Sequence, residues 1–263
     1  MSIFGIIELP YAVSGLAVGF VVGLTGVGGG ALMTPLLVLG FGVHPAAAVG
    51  TDLLYAGITK ACGTAVHHFA RSIDWRVTGL LAAGSLPATV ATLLVLRHYE
   101  IGTGRVAPVI IDMLGVALLL TAASLALRGA ILRWLRGRST GIGNPARAVA
   151  TVATGATLGV LVSLTSVGAG ALGVTVLVLL YPQLSPVRIV GTDIAHAVPL
   201  ALAAGLGHWA LGTVDFGLLA SLLTGSLPGV ALGSLLAPRL PERALRLALA
   251  GVLAVVALMM IAK

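Results

Sequence analysis

Thr25-Gly26-Val27-Gly28-Gly29-Gly30-Ala31-Leu32 is answered 140 residues later by Thr165-Ser166-Val167-Gly168-Ala169-Gly170-Ala171-Leu172. The two stretches interrupt the two longest apolar blocks of the chain, 9–40 and 146–180. Glycine is a poor helix former, so each block is expected to unwind at its cluster. A helix that starts or stops within a bilayer presents free N–H groups and the positive pole of its dipole. Successive glycine amides can also form a nest around an oxyanion. Thr25, Thr165 and Ser166 add hydroxyl donors. The competing reading is a tight glycine packing surface between two helices. Duplication of the break in two overlong apolar blocks favours the first, because paired interruptions in corresponding segments mark a transporter's midplane site.

Outward from these breaks the chain is membrane protein throughout. Of 263 residues, 58% are hydrophobic and 9% charged, with 36 glycines and a mean hydropathy of +1.11. Soluble domains carry about 25% charged residues, so a cytosolic enzyme, a secreted disulfide scaffold and a disordered tail are excluded. Six further apolar blocks lie at about 45–69, 75–96, 104–127, 186–210, 215–237 and 241–262, each near the ~20 residues that span a bilayer as a helix. The N-terminus has no basic region ahead of its first apolar run, so no cleavable signal peptide is expected. The single Cys62 rules out an internal disulfide framework and is expected in the core. The net charge of +7 sits in short breaks between apolar runs, without a basic stripe or interleaved aromatics. It therefore sets topology rather than nucleic-acid binding.

The matches between the two breaks extend along both halves. Gly50-Thr51-Asp52 aligns with Gly191-Thr192-Asp193 at an offset of 141, and His67 with His208, Asp74 with Asp215, and Gly84-Ser85-Leu86-Pro87 with Gly225-Ser226-Leu227-Pro228 at the same offset. An ordered series at one spacing is an internal repeat. The boundaries are an N-terminal repeat over 1–130, a basic cytoplasmic linker over 131–145 and a C-terminal repeat over 146–263. If each long block crosses the membrane once, the repeat is parallel and loop Lys/Arg divide eight against six. If each turns back at its glycines, Arg71, Arg76, Arg128, Arg133, Arg136, Arg138, Arg147, Arg188, Arg239, Arg243 and Arg246 share one side, against Arg97, Arg105 and Lys263. The positive-inside rule prefers the second arrangement, with both termini outside the cytoplasm. The expected fold is an all-α integral membrane protein of two inverted-topology repeats. Each is a glycine-broken re-entrant or discontinuous helix followed by three transmembrane helices.

Polar residues inside apolar blocks are the candidate functional groups. An acid at the centre of a span costs about 2.5–3.5 kcal/mol on insertion scales, so Asp52 and Asp193 are expected to face a cavity or a partner, unless they cap late-starting helices. Lys60 lies eight residues after Asp52 and has Ala201 as its counterpart. It either attracts an anion or pairs with Asp52, Asp112 or a carbonyl. His67, His68, His208 and Trp209 end their blocks, where interfacial placement explains them; a proton relay is the alternative. His196 shares a helix face with Asp193 at i+3. No metal-ligand set is apparent.

Gly23-Leu24-Thr25-Gly26-Val27-Gly28-Gly29-Gly30, then Pro35 and Gly50-Thr51-Asp52, resembles the sulfite exporter TauE/SafE family. Gly191-Thr192-Asp193 and Gly225-Ser226-Leu227-Pro228 fit the same resemblance, which covers nearly the whole chain. The second break departs from full glycine richness at Ser166 and Ala169. The resemblance implies an inner-membrane transporter of small sulfur-containing anions, sulfite or organosulfonates, acting as an exporter. It places substrate binding on Thr25, Gly26, Gly28, Gly29, Gly30, Thr51, Asp52, Thr165, Ser166, Gly168, Gly170, Thr192 and Asp193. Lys60, His67, His196 and His208 are the candidates for charge or proton coupling. The expected partners are the anion and the lipid bilayer, not nucleic acid, and a homo-oligomer is left open. No P-loop is present, so direct ATP drive is not expected, and neither is a cofactor. An anion channel of the same architecture is the first rival reading. An intramembrane enzyme using His67, His68 and an Asp is a weaker one, because it lacks a complete nucleophile or metal constellation.

Overall fold

The computed structural model describes residues 8–25, 30–99, 106–135, 143–239 and 241–262. Gly26, Gly28 and Gly29, together with Arg105, Arg136, Arg138 and Lys263, lie outside the described residues. The first half contributes α1 (Leu9–Thr25), α2 (Gly30–Pro35, continued as a π turn over Leu36–Gly40), α3 (Pro45–Phe69), α4 (Trp75–His98) and α5 (Ala107–Leu135). The second contributes α6 (Asn144–Thr165), α7 (Ala171–Leu180), α8 (Pro186–Ala210), α9 (Phe216–Leu236) and α10 (Glu242–Ile261). The repeat read from the sequence is thus matched element by element. The second long apolar block breaks where its glycines stand, with α6 ending at Thr165 and α7 beginning at Ala171; the first cluster lies outside the described residues.

Local chemistry sets the helix ends. Asp74 and Asp215 precede α4 and α9, and each carboxylate accepts from the third amide onward, Val77 at 3.2 Å and Leu218 at 2.9 Å. Such caps satisfy amides that lack intrahelical partners. Ser185 caps α8 in the same way, with Pro186 at its first position. Pro87 and Pro228, another repeated pair, lie inside α4 and α9.

The halves interlock rather than standing side by side. On α1, Gly15 lies against Leu222, Gly19 against Ser226 and Gly23 against Val230, so α1 and α9 run parallel. Gly155 lies against Leu81 and Gly159 against Ser85, so α6 runs parallel to α4. At the centre, Gly50 meets His208, Gly57 meets Leu202 and Gly63 meets Ile194. As one number rises the other falls, and α3 is antiparallel to α8. Gly115 beside Ile261 and Gly129 beside Arg246 make α5 and α10 antiparallel as well.

Among the described residues, α4, α5, α6, α8, α9 and α10 are long and apolar enough to cross a membrane. Their outer faces carry large exposed apolar side chains, such as Val90 and Leu94 on α4 and Val252, Val255 and Leu258 on α10. Water would not tolerate that surface; hydrocarbon does. The chain is a multi-pass membrane protein. The second break follows α6, a helix of 22 residues, so it lies at the end of a span-length helix.

Candidate functional site

The second break is wound by three departures from right-handed backbone at alternate residues: Ser166 at φ 60°, Gly168 at 124° and Gly170 at 131°. The Thr165 hydroxyl stabilises the turn, donating to the Leu161 carbonyl at 2.7 Å and accepting from the Val167 amide at 3.1 Å. The turn delivers the start of α7, whose first amides have no acceptor within the helix, to the interior of the bundle.

Lys60 reaches this turn from the other half. Its Nζ donates to the Ala169 carbonyl at 3.0 Å, which decides among the partners weighed for it. Asp112 is exposed, away from it. The ammonium also interacts electrostatically with Asp193 and, less strongly, with Asp52. Around it opens a cavity of about 320 Å³. Its polar lining is Thr25 of α1, Thr59 and Lys60 of α3, Arg128 of α5, Gly170 and Thr175 of α7, Asp193 of α8 and Ser234 of α9. That volume lies at the small end of ligand pockets. Two cations, four hydroxyls and a helix start around one cavity suit a small oxyanion.

The cavity lies where α3 and α5 finish and α8 begins, the end of the bundle that carries the basic linker. The region related to it by the repeat is filled. Ala201, the counterpart of Lys60, is 2% exposed, and Met33, Leu37 and Tyr55 around Asp52 are 0–1% exposed. Asp52 accepts from the Thr34 hydroxyl at 2.5 Å and has Ser166 beside it. Asp193 lines the cavity, and neither of its oxygens accepts a hydrogen bond among the described residues. Both acids lie well inside helices that start at Pro45 and Pro186, so neither is a cap.

The remaining predicted residues form a clasp between the halves. The Thr51 hydroxyl accepts from the Asp215 amide at 3.0 Å, and the Thr192 hydroxyl from the Asp74 amide at 2.9 Å. Gly50 makes room for His208, and Gly191 for His67 and Ser72. His67 and His208 pair in turn with Ser72 and Thr213, at 2.7 and 2.9 Å. His208 also reaches the Ser163 carbonyl at 2.9 Å and is fully buried, so interfacial placement does not apply to it; His68 and Trp209 are exposed. His196 meets Ser85 at 2.9 Å, while its repeat mate Tyr55 has Ser226 beside it. In each Gly-Thr-Asp triplet, then, glycine seats the opposite histidine, threonine holds the opposite helix cap, and aspartate faces the interior. Cys62 is exposed rather than in the core.

A family model, Sulfite exporter TauE/SafE, matches residues 11–260. The chain belongs to the TauE/SafE family. Among curated members is the Probable membrane transporter protein YjnA of Bacillus subtilis (strain 168), 40% identical over 94% of this chain and 97% of the relative. The Probable membrane transporter protein YdhB of the same organism is 26% identical over 88% of this chain and 91% of its own length. No solved structure matches. Within this TauE/SafE chain, sequence reading missed Thr59, Thr175, Arg128 and Ser234 as cavity residues. Thr59 and Arg128 carried a signal: the first is adjacent to Lys60, and the second ends an apolar block.

Proposed function

We propose that the protein is a secondary transporter. On this reading it carries a small sulfur oxyanion, sulfite or an organosulfonate, out of the cell across the inner membrane by alternating access. The observation that carries this reading is the cavity in which Lys60 meets the second glycine break. The family supports the class of cargo, and the cavity's cations and hydroxyls agree with it. Two inverted-topology repeats supply the mechanism. The antiparallel packing of α3 on α8 and α5 on α10 supports an axis lying in the membrane plane.

Inverted halves make alternating access inexpensive to encode. If the halves exchange conformations, the open region beside Lys60 closes and the packed region beside Asp52 opens. One open and one filled region is what a single state of such a cycle has. A channel would need both regions open at once, so the packed side favours a carrier. A divalent anion leaving the cell gains about 2.3 kcal/mol per charge per 100 mV of membrane potential.

Counterflow tests the transport reading. Liposomes holding the purified protein and unlabelled sulfite are expected to accumulate labelled sulfite transiently above its external concentration. A channel would only equilibrate the label, and absence of flux for sulfite and sulfonates alike would remove the reading. The topology is tested separately. Tags at both termini are expected to be reached from the periplasmic side, and one in the 131–145 linker only after the membrane is opened; a cytoplasmic N-terminus would reject the inverted arrangement.

A further inference from the structure

The two acids of the repeated triplet are placed differently, although the repeat makes them equivalent. Asp52 accepts from Thr34 and lies outside the cavity, whereas Asp193 lines the cavity, 1% exposed, with no hydrogen-bond donor on either oxygen among the described residues. From α3, Lys60 acts electrostatically on Asp193 and, less strongly, on Asp52. From α5, Arg128 lines the same cavity. Its own helix offers His196, engaged with Ser85 of α4, and Arg188, engaged with Asp74 at 3.4 Å. On α6, Arg147 is turned onto the Tyr181 ring. From α7 it meets Gly173, which has no side chain and leaves room for the carboxylate. Lys60 donates to the Ala169 carbonyl rather than to either carboxylate.

An ionised carboxylate buried without donors is tolerated only while a positive charge compensates it. An oxyanion entering the cavity competes for that charge. With Asp52, Asp193 and a divalent cargo all charged, Lys60 and Arg128 cannot neutralise them together. Protonation of Asp193 removes the conflict and lets the cargo take the ammonium. We propose that Asp193 is a proton-binding site coupled to the cargo through Lys60, so that the carrier moves one proton with each anion. This rests on the transporter reading above. A proton from the water of the cavity bonds to a carboxylate oxygen as the anion binds. It returns to the phase into which the anion leaves, and no oxidation or reduction is involved. A divalent cargo then carries one net negative charge and still leaves down the membrane potential; a monovalent cargo moves without net charge.

The test uses full-length protein in liposomes with a trapped pH-sensitive dye. The probes are sulfite and sulfoacetate; the acid groups of sulfoacetate stay ionised above about pH 5, so any proton moved with it belongs to the protein. For the wild type, sulfoacetate entry is expected to acidify the lumen by about one proton per anion, and an acid exterior alone drives its accumulation. Asp193→Asn is expected to slow counterflow without abolishing it, because the cavity loses a lining carboxylate but the amide mimics its protonated form, and to lose acidification and pH-driven accumulation. Asp193→Glu retains both. Acidification by Asp193→Asn at the wild-type rate overturns the proposal, and so does loss of its counterflow. Anion flux in the wild type without protons defeats the coupling alone, whereas no flux of either probe defeats the transporter reading and the coupling with it.

Discussion

Lys60→Ala is expected to reduce sulfite counterflow by about a hundredfold or more, with the protein still inserted and folded. The magnitude follows from burial. Truncating one member of a hydrogen-bonded buried charge group costs about 2–5 kcal/mol, and about 3 kcal/mol already corresponds to two decades. Lys60 is set in the lining of the cavity, tied to the Ala169 carbonyl of the other half's break. Removing it takes a cation from the cargo and leaves Asp193 uncompensated. Both effects act against anion binding, so the loss should appear as weaker saturation as well as a slower rate. Lys60→Arg keeps the charge and should retain part of the flux, although the wider guanidinium cannot repeat the single bond to Ala169. Asp112→Asn is the matched control: it alters an acid of the neighbouring α5 that is exposed outside the cavity, and flux should be unchanged. Wild-type counterflow in Lys60→Ala would mean that the cargo passes elsewhere.

The reach of the sequence can be traced through these same residues. The second glycine break, the helix ends and the order of the helices were legible because they are local. A cluster of glycines unwinds a helix, an Asp or Ser starts one, and apolar runs of about 20 residues span a bilayer. The polar residues were legible only as a set. Thr51 and Thr192 enter the candidate site through the family resemblance, and each also holds a helix cap of the opposite half, at residues more than 110 positions away. His208 ends an apolar helix in the sequence, but the bundle buries it on Thr213 and Ser163. Nor does the repeat, by which the halves are equivalent, reveal that the cavity opens beside Lys60 while the described residues beside Asp52 are packed. That asymmetry depends on how α1, α5, α7 and α9 pack around α3 and α8. Arg128 belongs to this packing, although by sequence it only ends an apolar block.

Gly19→Leu is expected to be the most damaging single change to the fold. A Cβ at Gly19 would stand 2.6 Å from the Ser226 carbonyl oxygen and 2.8 Å from its Cα, and backbone cannot yield as a flexible side-chain tip can. The residue is the middle of a ladder in which Gly15, Gly19 and Gly23 of α1 meet the backbone of Leu222, Ser226 and Val230, while Gly225, Gly229 and Gly233 of α9 meet the backbone of Ala12, Leu16 and Phe20, every fourth residue on both helices. Small residues at this spacing let membrane helices touch along their backbones, and dispersion over that contact replaces the hydrophobic drive that lipid does not supply. The 17 described helical residues of α1 lie at the short end of what spans a bilayer. Overpacking usually costs about 1–3 kcal/mol. Here a whole helix pair must separate, so at least about 3 kcal/mol is expected, a fall in melting temperature in detergent on the order of 10 °C. Because α1 joins the first half to α9 of the second, its displacement also moves Thr25 away from the cavity and should remove counterflow. Gly251→Leu on α10 is the control. A Cβ there meets nothing within 4 Å, its added bulk lies in hydrocarbon, and the cost should stay within about 0.5 kcal/mol. If the two leucine variants melted together, α1 would not be seated on α9, and the parallel pair that ties the halves would have to be redrawn.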